Sequence, residues 1–409
     1  MLIKLSKYLR ATGLSGLLLL MYPVLIMVII RGRTLDQAES VDVAAGIQII
    51  YIVICFIVSI NQIKKRVSLF KKILFIKPTT YLLTFTFLGF FSAIWSSSPI
   101  LSFYRSFECL VFILLITNVI VNLVIKYDLQ YIVKWVVFYA LWNLTINIFL
   151  KIKLIGFGYL LYPFTASRLF FPLFFFFFIF LIDKKYLKFL ILVFALLGLS
   201  NKIYFGVAIG SLGLVFGTDR NIIILLLIFL ILSLLFFAVG IDEFLLNSLF
   251  YGRDSIGLED SSGRDKVWSY LYEKGVQKPI LGYGFSAGEV NLLEASVFKG
   301  AINAHNSFMS AFVNNGIIGL ILLLFYFISA LRLSFSKWFP KGNWRTAVIS
   351  TLILVFVVNM AAPGIGGRVY GTWIPSVFLI SLFTILRLKF KSISSFYHEK
   401  ITEQVVDNL

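Results

Sequence analysis

The sequence predicts an all-α polytopic membrane protein of about twelve spans, and three observations carry that prediction. Apolar residues make up 60% of the 409-residue chain and charged residues only 14%, whereas a water-soluble domain carries about a quarter charged residues. The apolar residues also run in blocks of bilayer length, and that content is what about twelve crossings of roughly 20 residues require. Finally, the basic residues fall mostly between those blocks. A soluble enzyme, a disordered chain and a secreted disulfide scaffold are excluded.

In chain order the spans are expected at 13–30, 43–60, 79–95, 107–125, 132–150, 169–182, 186–199, 203–217, 221–240, 306–330, 346–362 and 370–386. Lys4, Lys7 and Arg10 precede the first, as in a signal peptide, but no small-residue cleavage site follows, so it reads as a retained helix. The sixth, seventh and eighth are short. The Phe run at 173–178 is biased composition inside a span. Residues 1–240 thus hold the first nine helices, 241–305 a large loop, 306–390 the last three helices and 391–409 a tail. Cys55 and Cys109 lie within apolar runs, without metal or disulfide spacing, and read as small core residues.

Charge assigns the sides. Lys and Arg number 37 against 19 acidic residues, a net +18. With both termini cytoplasmic, 23 of the 37 cations fall on the inner face, including the cluster at 61–78, as the positive-inside rule requires. The basic excess therefore serves membrane insertion and anionic lipid, and points away from nucleic acid. The loop at 241–305 falls on the outer face. Its composition shifts to Gly, Ser, Asp, Glu and Lys, and a loop of this length is usually functional. Within it Val267, Tyr270, Leu271 and Val276 recur at helical spacing, which predicts a short amphipathic helix at 264–277 lying on the membrane surface.

Fourteen cations remain on the outer face. Arg105 beside Glu108, Lys202, the loop set that includes Arg264, and Arg368 in Pro363-Gly-Ile-Gly-Gly-Arg368 would suit an anionic group presented at membrane depth. Arginine in particular reads phosphate oxygens in pairs. Taken singly, each is also explained by snorkelling at a helix end. His305 is the one outer-face side chain that titrates near neutral pH. It precedes Asn306 at the start of the tenth span, and Gly316 and Gly319 follow at a spacing that permits close helix packing.

These elements together resemble a known family. His305-Asn306, nine residues, then Gly316-x-x-Gly319 is similar to the signature of the bacterial O-antigen ligase and polymerase superfamily. Gly263-Arg264 with Trp268, Lys278-Pro279, Gly282-Tyr283-Gly284, and Trp95-Ser96-x-x-Pro99 followed by Ser106 resemble its outer loops. The resemblance implies a GT-C-type membrane glycosyltransferase of the bacterial inner membrane, with its active site facing the periplasm. Such an enzyme moves a glycan from an undecaprenyl-diphosphate carrier to an acceptor hydroxyl. His305 and Arg264 take the family's catalytic positions, with Gly263, Asn306, Gly316 and Gly319 supporting them. Lys202 stands where the family has an arginine, keeping the charge but losing the two-pronged grip, so Arg105 or Arg368 would complete the diphosphate contact. Trp268 and Tyr283 are candidates for stacking on sugars.

No acidic cluster with metal spacing accompanies these residues, so the expected mechanism is metal-independent and uses no cofactor. Fixed cations would stabilise the departing phosphate and the histidine would act as general base. The expected partners are the lipid-linked oligosaccharide, an acceptor glycan or lipid A core, the bilayer, and a flippase or chain-length regulator. Polymerisation of repeat units is favoured over ligation to lipid A core. A lipid-linked sugar transporter and a non-catalytic scaffold are the rival classes. A transporter would carry midplane charges and paired broken helices.

Overall fold

The computed structural model describes residues 2–29, 43–155, 264–296, 303–335, 343–361, 364–367, 369 and 373–406. The four expected spans between 169 and 240, residues 241–263, Lys202 and Arg368 lie outside them. Among the described residues the chain is all-helical: α1 (Leu2–Ile29), α2 (Val43–Lys64), α3 (Val67–Leu74), α4 (Lys77–Ser92), α5 (Pro99–Lys126), α6 (Leu129–Ile155), α7 (Arg264–Gln277), α8 (Ala287–Glu294), α9 (Ser307–Ser334), α10 (Asn343–Ala361) and α11 (Trp373–Val406). Helices α2 and α5, with 307–333 of α9 and 373–391 of α11, are long and apolar enough to cross a membrane. The pair α3 and α4, bent by 84°, is a fifth candidate. This is a multi-pass membrane protein, and every expected span within the described residues coincides with a helix.

Helix α5 is the axis of the bundle. Pro99 opens it, where a missing N–H costs nothing, eight residues before the expected span, so Arg105 and Glu108 lie in the helix and not in a loop. From Val111 to Val124 every residue is buried, which an apolar helix achieves only when neighbours surround it. Its polar residues are satisfied locally: Thr117 donates to Ile113 O (2.7 Å) and Asn118 to Ser59 O (3.2 Å). At its C-terminus Lys389 of α11 donates to Val124 O (2.6 Å) and Tyr127 O (2.8 Å), covering carbonyls that the helix cannot bond itself. Between α6 and α11, Trp135, Tyr139 and Phe378 stack at 5.4–5.9 Å between centroids. Helix α11 continues to Val406, through most of the residues expected as a tail.

Two helices are broken by a glycine. In α1 the break is Gly13 (φ 63°, ψ −156°) and in α9 it is Gly316 (φ 64°, ψ −163°), a backbone region essentially confined to glycine. Helix α9 is therefore two segments, 307–315 and 317–334. No residue of the first is exposed. The exposed apolar stripe of Ile317, Ile318, Ile321, Phe325 and Ile328 begins immediately after the break.

Candidate functional site

The break at Gly316 frees carbonyls that a continuous helix would consume, and the 278–285 loop takes them. Tyr283 N–H donates to Val313 O (3.0 Å) and Gly284 N–H to Asn314 O (2.9 Å), while Ile317 N–H donates to Pro279 O (2.7 Å). A methyl group at Gly316 would overlap the Ile280 carbonyl. One at Gly282, whose φ is +66°, would sit 2.6 Å from Val313 O. The first glycine of the Gly-x-x-Gly element therefore makes a chain break and a loop socket, which corrects the expectation that it serves helix packing. Gly319 is the packing glycine, next to the Phe85 ring of α4.

A second segment, 92–106, locks onto the same loop. Trp95 donates its indole N–H to Leu281 O (3.1 Å), and Phe285 N–H donates to Ser92 Oγ (2.8 Å). Ser102 Oγ donates to Phe285 O (3.0 Å), and Asn291 reaches Ser97 Oγ (2.7 Å) and Ser98 Oγ (3.0 Å). Ser106 donates back to Ser102 O (2.8 Å) within α5. The short hydroxyls thus pair the backbone of a loop that has no strand to bond with, as buried polar groups require.

His305 immediately precedes the cap of α9, half-buried, in a left-handed turn (φ 52°), a conformation that histidine adopts more readily than most residues. Its own N–H donates to Asn303 Oδ1 (3.0 Å). Asn306 caps α9, its Oδ1 accepting from Phe308 N (2.9 Å) and Met309 N (3.1 Å), so the nine residues up to Gly316 form one short helix with a defined start and end. Ala304 is held from both sides: its carbonyl accepts the Trp268 indole N–H (2.6 Å), and its N–H donates to Glu289 Oε1. The same carboxylate oxygen accepts from Ser310 Oγ (3.0 Å). Glu289 N–H donates to Asn314 Oδ1 (2.8 Å), whose amide reaches Gly366 O (3.4 Å). Asn359 of α10 ties the 364–367 turn to α9, accepting from Ile365 N (3.2 Å) and Ser307 Oγ (2.9 Å).

Residues 186–324, about a third of the chain, match the family model of O-antigen ligases. That stretch is similar to the O-antigen ligases. No curated protein matches it. The matched region contains the His305 turn, α7, α8, the 278–285 loop and the break at Gly316, and its family supports a ligase- or polymerase-type membrane glycosyltransferase.

Other expected site residues distribute as follows around this matched region. Arg264 opens α7 four residues before Trp268, and Val267 and Leu271 of that helix are buried with Leu293, Ala304 and Val313. The apolar face of α7 is thus spent on protein and not on lipid, although Tyr272 and Val276 remain exposed. Trp268 and Tyr283, expected to stack on sugars, carry structural bonds. Tyr283 donates to Lys274 O (3.0 Å) and lies under Lys278 Nζ, 4.7 Å from the ring centroid. Partial burial, and then Tyr270, push its phenol above the ordinary tyrosine value, which keeps it a donor. Arg105 pairs with buried Glu108 (2.8 Å), which also accepts from Gln48 (3.0 Å). One residue on, Cys109 Sγ lies 3.8 Å from Gly367 O, and Tyr22 donates to Val369 O (3.4 Å). Arg105 is therefore a neutralised charge beside the turn that leads into Arg368. Among the described residues no group of three His, Cys, Asp or Glu side chains converges as a metal site does.

Glu289, Ser310, Asn314 and Asn359 do not stand out in the sequence. A lone Glu in a loop and polar residues within an apolar span carry no periodic signal. Only the Glu289 position, in the first turn of a short helix, is marked by the preference of acids for helix N-termini.

Proposed function

We propose that the protein transfers a glycan from undecaprenyl diphosphate to an acceptor hydroxyl on the periplasmic face of the bacterial inner membrane, polymerising repeat units of a surface polysaccharide. What supports this most is the meeting of two segments, each expected on the outer face from its charge, at the start of α9 beside His305: Glu289 of α8 bonds Ala304 and Ser310, and Asn359 joins the 364–367 turn to Ser307. In this reading His305 takes the acceptor hydroxyl proton as the oxygen attacks the anomeric carbon. The bond from that carbon to the diphosphate oxygen breaks, and undecaprenyl diphosphate leaves with the electron pair. Arg264, Lys202 and Arg368 stabilise the departing diphosphate, a task for fixed cations in a site shielded from water. Arg105, paired with Glu108, is the further candidate for the diphosphate contact. Ligation to lipid A core would use the same chemistry with a different acceptor.

The test uses the full chain in nanodiscs with lipid-linked oligosaccharide extracted from cells lacking the protein. Wild type lengthens the glycan, with or without EDTA. His305→Ala lowers the rate by roughly 100-fold or more while the protein still accumulates in membranes. Long-chain product from His305→Ala at normal protein level would sink the role given to His305. Product formed only when a lipid A core acceptor is added would identify a ligase.

A further inference from the structure

We propose that Glu289 is a positioning residue for His305, an inference that rests on the glycosyl-transfer reading above. Its carboxylate is 5% exposed, and a buried carboxylate persists only where strong donors face it. Two donors meet its Oε1, the Ala304 N–H and the Ser310 hydroxyl. They come from the turn that carries His305 and from the first turns of α9. Its Oε2 faces the 364–367 turn, where a Cβ built at Gly367 would lie 3.8 Å away. Glu289 thus sits on a third segment and joins the other two through one side chain.

The consequence falls on the neighbouring residue. Ala304 is fully buried, with its N–H on Glu289 and its carbonyl on Trp268. The peptide before His305 is held at the Ala304 carbonyl and the residue after it, Asn306, is held as the cap of α9, so the left-handed φ of His305 lies between two fixed points, a conformation a free chain would leave. The imidazole is then presented from a rigid backbone, as proton transfer at a defined distance requires. The task needs an acceptor oxygen at Oε1 and no negative charge, which separates it from a chemical role.

Turnover and carrier binding are measured separately in nanodiscs, with the extracted lipid-linked oligosaccharide for turnover and undecaprenyl diphosphate for binding. Glu289→Ala is expected to lower turnover by roughly 100-fold and leave undecaprenyl diphosphate affinity within about twofold. Glu289→Gln keeps an oxygen for both donors, and turnover stays within about threefold of wild type. Ser310→Ala removes one donor and falls between the two. Glu289→Gln as inactive as Glu289→Ala would overturn the assignment in favour of a role for the charge. Wild-type turnover in Glu289→Ala would overturn it as well. If Glu289→Ala does not accumulate in membranes, Ser310→Ala decides, and undiminished turnover there overturns the assignment. A wild-type protein that binds the carrier but transfers nothing would overturn the glycosyl-transfer reading itself.

Discussion

Gly13 in α1 and Gly316 in α9 break their helices with φ and ψ that agree to within a few degrees, and each is followed three residues later by another glycine. In both, the residue before the break folds its side chain over that second glycine, Thr12 over Gly16 and Asn315 over Gly319. Their surroundings differ. Nothing lies within 4 Å of a Cβ built at Gly13, and the carbonyl freed at Thr12 is taken by one side chain, Asn122 (3.2 Å), itself bonded to Arg66 (2.9 Å). At Gly316 the freed groups are taken by the backbone of a distant loop, whose Ile280 carbonyl fills the space that a side chain would need. One break is only a bend. The other is a joint between a span and the loop that borders His305.

That contrast orders the expected effects of mutation. Gly316→Ala combines a glycine-only conformation with a steric overlap and the loss of the loop contacts, so about 3–5 kcal/mol of stability should disappear. Thermal unfolding in detergent measures it, and the remaining folded protein should have lost turnover. Gly13→Ala meets only the conformational penalty, about 2 kcal/mol, with turnover retained by the folded fraction. Equal losses in these two variants would break the comparison, because the loop would then contribute nothing. The smallest effect is expected from Asn122→Ala, about 1 kcal/mol for one lost hydrogen bond and an uncovered carbonyl. A larger loss there would show that the Gly13 break depends on its single partner more than its open surroundings indicate.

Hydropathy made the apolar helices of the described residues legible, because burial in lipid acts on composition. Helix α7 was legible with its bounds, since its pattern follows the helical period. Its docking surface was not, because an apolar stripe looks alike whether it meets lipid or protein. The family signature located His305, Asn306 and Gly316, yet spacing alone suggested helix packing at Gly316, since a left-handed break and a close contact both call for glycine. Glu289 was hidden for a different reason. Its role arises from the meeting of three segments distant in sequence, and no local pattern records such a meeting.

The nine residues between Asn306 and Gly316 are also a length. At about 1.5 Å per residue, segment 307–315 rises roughly 13 Å, and 317–334 rises roughly 27 Å, close to the thickness of a hydrocarbon layer of about 30 Å. Exposed apolar side chains begin at Ile317 and none precedes it in α9, so the lower segment alone is long enough for the apolar layer. His305 stands at the far end of the upper segment. One residue more or less would shift the imidazole by about 1.5 Å and swing it by about 100°. The spacing therefore sets both the height and the bearing of the His305 imidazole relative to the Gly316 break.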